Sequence, residues 1–202
     1  MNKLPQTFYL RSNVLQVARD LLGKIIVTRF EEGLTSGTIT EVEAYVGATD
    51  RASHAYNHRK TTRTSVMYAS GGTAYVYLCY GIHHLFNVVT NQIGIPHAVL
   101  IRAVEPLEGI AIMLERRKKI KPAFALTAGP GAAAQALGIK TMHTGCSLLS
   151  DTIWLEDCGI KISRSKIVSG PRIGVDYAGD DAKLPYRFYV KGNLWVSRSA
   201  QQ

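Results

Sequence analysis

The stretch from Gly71 to Val89 constrains the fold of this chain more than any other part of its sequence. Two runs rich in β-branched and aromatic residues flank the four residues Tyr80-Gly81-Ile82-His83. Such runs favour β-strands, and the glycine supplies the backbone freedom that a tight turn needs. The sequence therefore predicts a β-hairpin whose tip consists of these four residues.

The predicted tip is unusually apolar, because hairpin tips normally face water and carry small polar residues. One interpretation is that Tyr80 and Ile82 fold beneath a loop and join the core, as large apolar side chains usually do. The other is that they form a wedge that enters a flat, stacked partner such as a DNA duplex. Tyr75, Tyr77 and Cys79 share one face of the preceding strand, because side chains alternate along a strand. One tyrosine can then stack inside a pocket while Tyr80 projects from its rim.

The charge balance favours a polyanionic partner. Of the 202 residues, 24 are Lys or Arg and 15 are Asp or Glu, which gives a formal net charge of +9. A basic excess suits nucleic acid or an acidic membrane surface. No apolar run approaches the roughly 20 residues that a membrane span needs, so no membrane partner is expected. The length and the hydrophobic fraction of 46% predict a single folded domain over residues 1–202.

The cysteines indicate a reducing compartment. Cys79, Cys146 and Cys158 are odd in number and have no paired metal-ligand spacing. The first residues, Met1–Gln6, do not resemble a signal peptide. We therefore expect a cytoplasmic protein, associated with the nucleoid in a bacterium or nuclear in a eukaryote. Neither a metal site nor a cofactor is expected.

The order of the remaining elements predicts an α+β fold. Helices are predicted over residues 13–22, 107–120 and 129–137, and further strands over 24–30, 38–45, 96–105, 152–155, 159–162, 186–190 and 194–197. Strands outnumber helices, and no regular βαβ alternation is present. We expect a curved, mostly antiparallel sheet flanked by helices, from which the hairpin protrudes.

Charged residues occur in two strands that otherwise suit burial. Glu41, Glu43 and Tyr45 share one face of their strand, and Arg102 lies within an apolar strand. The two carboxylates fit either a solvated sheet face or a general base aimed into a pocket. Arg102 demands a carboxylate partner, because an unpaired buried charge is very costly. Either glutamate is a candidate, and the resulting pair fits a structural ion pair as well as an active site.

Residues 47–70 predict an irregular segment with a basic run. Arg59, Lys60 and Arg63 are interleaved with threonine hydroxyls. That mixture suits contacts with DNA phosphates, and it is equally typical of a solvated loop. His54, in the same segment, would by itself be interpreted as an ordinary structural histidine.

Together these motifs resemble the alkyladenine (3-methyladenine) DNA glycosylase family. The matching stretches are Glu41–Gly47 followed by His54, Thr73–Gly81 with Asn87, Leu100–Gly109, Arg172–Val175 and Arg187–Gly192. They occur in the family's order and extend from about Phe8 to Ser197. The resemblance implies an enzyme that acts as a monomer on double-stranded DNA containing damaged purines, of the 3-methyladenine, 7-methylguanine, hypoxanthine and ethenoadenine class. It would hydrolyse the N-glycosidic bond after the nucleotide has left the duplex.

The resemblance also implies which residues carry the chemistry. Glu43 matches the carboxylate that deprotonates the attacking water. Arg102 and the backbone carbonyl of Ile173 match groups that hold this water. A glycosylase that also cleaves the strand uses an amine nucleophile, and none of the positions that match the family's pocket is a lysine. A monofunctional enzyme is therefore expected.

Substrate recognition follows from the same resemblance. Tyr45, His54 and Tyr77 match the aromatic walls between which the everted base is stacked. Asn87 matches the asparagine that crowds the exocyclic amino group of guanine. Tyr80 matches the tyrosine that fills the gap left in the duplex.

The residues beyond the turn depart from the family pattern. The best-known members carry methionine and tyrosine where this chain has Ile82 and His83. The difference affects the detailed shape of the intercalating wedge, in which Ile82 accompanies Tyr80. It does not touch the residues that would carry the chemistry.

Two other functions fit part of the sequence. A non-catalytic nucleic-acid-binding module would use the aromatic residues as stacking platforms, but it leaves Glu43 and Arg102 without a task. An enzyme acting on free nucleosides would use similar chemistry. Its rate would not depend on strand length or salt, whereas duplex affinity falls with salt.

Overall fold

The computed structural model describes residues 2–197, which form nine β-strands and four α-helices. The strands are β1 (Asn2–Lys3), β2 (Ile25–Phe30), β3 (Gly33–Tyr45), β4 (Ala74–Cys79), β5 (His83–Thr90), β6 (His97–Glu108), β7 (Ile153–Asp157), β8 (Ile167–Gly170) and β9 (Arg187–Val190), and the helices are α1 (Gln6–Tyr9), α2 (Val14–Leu21), α3 (Ile110–Arg116) and α4 (Pro130–Ala136). One open sheet has the order β1-β7-β2-β3-β6-β5-β4, and β9 joins β8 to β3. The pairings within the described residues are antiparallel, so the α+β prediction is confirmed.

Strand β3 is the centre of this sheet. One of its edges pairs first with β2 and then with β9, and its other edge pairs with β6. The register against β6 shifts on both sides of Glu41. Register shifts of this kind bend a strand and redirect its side chains, and they are frequent next to active sites.

The core lies between the sheet and the helices. Helix α2 begins after Asn13, whose side chain accepts a hydrogen bond from the Gln16 N–H at 3.1 Å and so caps the helix. Val14, Val17, Ala18 and Leu21 are buried along one face of this helix, which is the spacing of an amphipathic helix. The main apolar cluster also contains residues from α3, α4 and the central strands.

The hairpin formed by β4 and β5 is one residue tighter than predicted. Cys79 pairs with His83, so the tip contains three residues and His83 belongs to β5. Tyr80 and Gly81 have φ values of 51° and 73°, and the Ile82 N–H donates to the Cys79 carbonyl at 3.2 Å. Two successive positive φ values are typical of the type I′ turn that suits twisted hairpins. Glycine adopts this conformation freely, whereas tyrosine adopts it at a cost.

The hairpin is supported along its length. His84 Nδ1 accepts a hydrogen bond from the Thr141 N–H at 3.2 Å. Thr144 Oγ1 donates to the Val76 carbonyl at 2.6 Å and accepts from the Val76 N–H at 3.1 Å. The segment after α4 therefore covers part of the free edge of β4, which protects the sheet against edge-to-edge pairing.

Several predicted boundaries were wrong. Residues 159–162 and 194–197 are not strands, and β1 and β8 were not predicted. Helix α3 begins only at Ile110, because β6 continues its pairing with β3 as far as Glu108 and Gly109 then turns the chain at a φ of 71°. In the described part of the chain, no helix has the length and apolar character needed to cross a membrane.

Candidate active site

A cavity of about 490 Å³ opens between the hairpin, β3, β6 and two loops. Its volume lies within the range of roughly 300–1,000 Å³ that is typical of small-molecule sites. The predicted site residues that line it are Glu43, Tyr45, His54, Arg63, Tyr77, Tyr80, Asn87, Arg102 and Ile173. Cavities of about 710 and 850 Å³ lie elsewhere on the surface, but none of the predicted site residues lines them.

Glu43 is fully buried and lines this cavity. Its Oε1 atom accepts a hydrogen bond from the Ile173 N–H at 2.8 Å and lies 3.1 Å from Arg102 Nη1. Its Oε2 atom accepts from the Tyr45 hydroxyl at 2.9 Å. Glu41 is also fully buried, so the interpretation of a solvated sheet face was wrong. Every partner of Glu43 is a donor, which suits a carboxylate acting as an acceptor.

Arg102 contacts both glutamates that the sequence offered as partners. Its Nε atom donates to Glu41 Oε1 at 3.0 Å, and Glu41 also accepts hydrogen bonds from the N–H and Oγ of Ser197, each at 2.8 Å. Burial opposes the charge of Arg102, but the carboxylates of Glu43 and Glu41 outweigh it and raise the pKa of the guanidinium. Arg102 is therefore a permanent cation. Its Nε atom is held by Glu41, and its Nη1 atom contacts Glu43.

Tyr45 contributes a neutral phenol to the site. Burial, reinforced by the adjacent charge of Glu43, raises its pKa well above the usual range. The hydroxyl therefore stays protonated and donates to Glu43. The guanidinium of Arg172 lies over the Tyr45 ring, 4.8 Å from its centre, and this cation–π contact holds the ring in place.

His54, Tyr75 and Tyr77 form an aromatic cluster on the opposite wall. His54 Nδ1 and the Tyr75 hydroxyl are 2.8 Å apart. Burial, with the positive charges of Arg63 and Arg59, lowers the pKa of His54 to about 4, so the imidazole is neutral at pH 7. The His54 and Tyr77 rings meet edge to face, with centroids 4.6 Å apart and planes at 77°. A base stacked between them would require these two rings to separate.

Asn87 lies in the floor of the cavity and is 4% exposed. Its side-chain nitrogen donates to the carbonyls of Tyr75 at 3.1 Å and Leu85 at 3.4 Å. These bonds to the hairpin backbone fix the orientation of the amide. Asn87 therefore presents a fixed polar group to the interior of the cavity.

The hairpin tip lies in solvent beside the mouth of the cavity. Tyr80 is 87% exposed and Ile82 is 70% exposed. The interpretation that the tip joins the core was therefore wrong. An exposed tyrosine at a positive φ contributes nothing evident to stability, and such strained residues cluster at functional sites.

The basic run lies on the rim nearest to His54. Arg59, Lys60 and Arg63 are exposed, and Arg63 lines the cavity. The Lys60 ammonium lies over the Tyr68 ring at 5.3 Å. This side of the rim therefore carries positive charge.

The sequence did not indicate the ion pair between Asp50 and Arg172. The two side chains are buried, and the guanidinium binds both carboxylate oxygens, with Nη2 and Oδ1 2.8 Å apart. The pair connects the loop that carries His54 to the loop that carries Ile173. Among residues 2–197, no group of three or more His, Cys, Asp or Glu side chains is placed to hold a metal ion.

Comparison with known proteins gives a consistent result. The model of the methylpurine-DNA glycosylase (MPG) family matches residues 7–194. A protein of Chlamydia felis is 50% identical over 188 residues, covering 93% of this chain and 95% of its own length. A protein of Bacillus cereus strain G9842 is 46% identical over 203 residues, covering 96% and 98%. Each of these relatives is named "Putative 3-methyladenine DNA glycosylase".

Proposed function

The chain belongs to the methylpurine-DNA glycosylase family, and from that premise we propose that it hydrolyses the N-glycosidic bond of alkylated or deaminated purines in double-stranded DNA. The observation that carries this proposal is the position of Glu43, a fully buried carboxylate that lines an aromatic-walled cavity. The mouth of that cavity lies beside an exposed, tyrosine-tipped hairpin. A buried base-sized cavity and an exposed wedge together suit an enzyme that extracts a nucleotide from a duplex.

The first step is eversion of the damaged nucleotide. A stacked base hides its glycosidic bond, and extruding it costs a few kcal/mol. Tyr80 and Ile82 offset part of this cost by entering the gap that the nucleotide leaves. Arg59, Lys60 and Arg63 hold the neighbouring phosphates on the rim.

The everted base then enters the aromatic part of the cavity. Tyr45, His54 and Tyr77 contact the purine, and an alkylated purine carries a positive charge that π-faces attract. Because the low pKa of His54 keeps its imidazole neutral, it does not repel such a cation. Asn87 excludes undamaged guanine by occupying the space that its exocyclic amino group needs.

Hydrolysis follows at the sugar carbon. Glu43 accepts the proton of a water molecule, and Arg102 and the Ile173 carbonyl hold that water. As the bond to the base breaks, its electron pair leaves with the purine and positive charge develops on the sugar, where the carboxylate of Glu43 stabilises it. The water oxygen then bonds to the sugar carbon as its proton passes to Glu43. An alkylated, cationic purine departs as a neutral base, whereas hypoxanthine departs as an anion that takes up a proton from solvent. Among the described residues that line the cavity none is a lysine, so no Schiff base forms. The product is an abasic site in an unbroken strand.

The experiment is a single-turnover excision assay on a hypoxanthine duplex and on methylated DNA, with wild type and Glu43→Gln compared. General-base catalysis typically contributes 10²–10⁴-fold, so the variant should lose roughly that factor and retain DNA binding. The exposed Glu31→Gln is the matched control and should retain full activity. Strand breaks should appear only after alkali treatment.

Two results would contradict the proposal. Excision that survives Glu43→Gln undiminished would remove Glu43 from its role. Binding that is indifferent to damage, with no base released by the wild type, would favour the non-catalytic nucleic-acid-binding module. All residues used here come from a single chain, so we propose that it acts as a monomer wherever the cell keeps its DNA.

A further inference from the structure

Tyr177 lines the same cavity and has no role in the reaction described above. It lies in the 3-10 stretch Asp176–Lys183, which follows the loop of Ile173. Its hydroxyl donates to the Ala52 carbonyl at 3.0 Å, yet the residue as a whole is 70% exposed. Partial burial raises the pKa of this phenol. The hydroxyl end is therefore anchored in the protein, while most of the ring faces the mouth of the cavity.

The hydrogen bond to Ala52 is not needed to hold the two loops together. The buried pair of Arg172 and Asp50 already joins them. The Arg51 N–H donates to Asp181 Oδ2 at 2.8 Å, and Arg172 Nη2 donates to the Asp181 carbonyl at 3.1 Å. These contacts fasten the loops behind Tyr177. Joining the loops therefore does not explain why the large, mostly exposed ring of Tyr177 lies at this position.

The geometry of an everted nucleotide supplies that explanation. The base lies deepest, near Tyr45 and Tyr77, and the phosphates remain with the strand outside. The deoxyribose connects the two, so it must lie at the mouth of the cavity, where the exposed rings of Tyr177 and Tyr80 are. In the proposed mechanism Tyr80 fills the gap in the duplex. Of these two exposed rings, Tyr177 is therefore the one that can lie beside the sugar.

We propose that Tyr177 is a substrate-binding residue whose ring packs against the deoxyribose of the everted nucleotide, an inference that rests on the proposed function. The ring contributes apolar contact area by packing against the face of the sugar that presents its C–H groups. The contact keeps the sugar carbon directed toward Glu43, and small displacements of a reacting atom are expensive in rate.

The test compares Tyr177→Phe, which keeps the ring, with Tyr177→Ala, which removes it. Three quantities are measured: the single-turnover excision rate at saturating enzyme, the Kd for an undamaged duplex, and Tm. Tyr177→Ala should excise about tenfold more slowly, with Kd and Tm unchanged, whereas Tyr177→Phe should remain within about twofold of wild type. Tyr56→Ala, which removes an exposed tyrosine outside the cavity, is the matched control and should behave as wild type.

Each other outcome overturns the inference. A rate within about twofold of wild type for Tyr177→Ala shows that the ring contacts nothing important. Equal losses in Tyr177→Phe and Tyr177→Ala assign the effect to the Ala52 hydrogen bond. A Kd for undamaged duplex that rises in proportion indicates a general DNA contact, and a Tm lower by several degrees indicates a structural role. Failure of the proposed function is distinguishable, because the wild type itself would then release no damaged base.

Discussion

Replacing Tyr80 by asparagine should make the protein more stable and less active. Tyr80 has a φ of 51° in the two-residue turn that it forms with Gly81. A left-handed conformation costs a residue with an ordinary side chain roughly 1–2 kcal/mol, and Asn-Gly is the preferred sequence for such a turn. Because Tyr80 is 87% exposed, its removal sacrifices little packing.

The expected gain in the free energy of unfolding is about 1 kcal/mol, which is part of the strain just described. For a domain of this size, 1 kcal/mol corresponds to a rise in Tm of about 2–4 °C. The expected loss of activity follows from the cost of eversion, which is a few kcal/mol. If the Tyr80 ring offsets about 2 kcal/mol of it, Tyr80→Asn lowers the single-turnover excision rate about 30-fold, since about 1.36 kcal/mol is a factor of ten.

Thermal unfolding and single-turnover excision of one defined lesion measure the two effects. Tyr80→Phe is the control, since it keeps both the ring and the strained backbone and should change neither quantity. A Tm that falls by several degrees in Tyr80→Asn would show that the ring packs against the protein. An unchanged excision rate would show that no aromatic wedge is needed, and the reasoning about the hairpin tip would then be refuted.

Three further predictions concern the cavity and its rim. Asn87→Gly should raise the release of undamaged guanine about tenfold or more relative to a damaged base, measured by chromatography of released bases; unchanged selectivity would remove Asn87 from this role. Arg63→Gln and Lys60→Gln should each reduce the slope of log Kd against log salt by about 1, whereas the exposed Lys183→Gln should leave it unchanged; a slope insensitive to the first two would exclude phosphate contacts there. Burial lowers the pKa of His54 from 6.5 in the unfolded chain to about 4 in the folded protein, so the unfolded state binds the proton more readily. His54 should therefore leave the free energy of unfolding constant well above pH 6.5 and reduce it as the pH falls, by roughly 3 kcal/mol at pH 4. Urea unfolding at several pH values should show a shallower dependence in His54→Gln, and an identical dependence would contradict the shift.

The features that the sequence predicted well are those that local chemistry determines. Alternating aromatic and β-branched residues around Gly81 predicted the hairpin, and the helix predicted over residues 13–22 corresponds to α2. The partners of Arg102 were predictable because a guanidinium in an apolar strand requires a carboxylate. Both candidate glutamates are in fact partners.

The features that the sequence did not reveal depend on contacts between distant parts of the chain. The N–H of Ile173 binds Glu43 across 130 residues, and Arg172 binds Asp50 across 122. The spacing of apolar residues along the sequence indicates helices and strands, but it carries no information about which distant residues will pair. The exposure of Tyr177 was equally hidden, because it results from how two loops are fastened together.

The errors in secondary structure have a related cause. Short apolar runs such as 159–162 satisfy a strand pattern whether or not a neighbouring strand is available. In 194–197 the backbone is used differently, because the N–H of Ser197 binds Glu41 rather than a strand. The tip of the hairpin was predicted one residue too long, since its length depends on the positive φ values of Tyr80 and Gly81.

Because β3 lies at the centre of the sheet, the backbone at Glu43 should open much less often than the backbone at the hairpin tip. Glu43 lies where β3 is paired on both edges, with β9 on one side and β6 on the other, so its amide proton should exchange with deuterium only when the whole domain unfolds. Tyr80, at the far end of a two-stranded projection, should exchange orders of magnitude faster. Under the proposed function, the hairpin tip can therefore change conformation while the protein searches DNA, and the geometry around Glu43 is not disturbed.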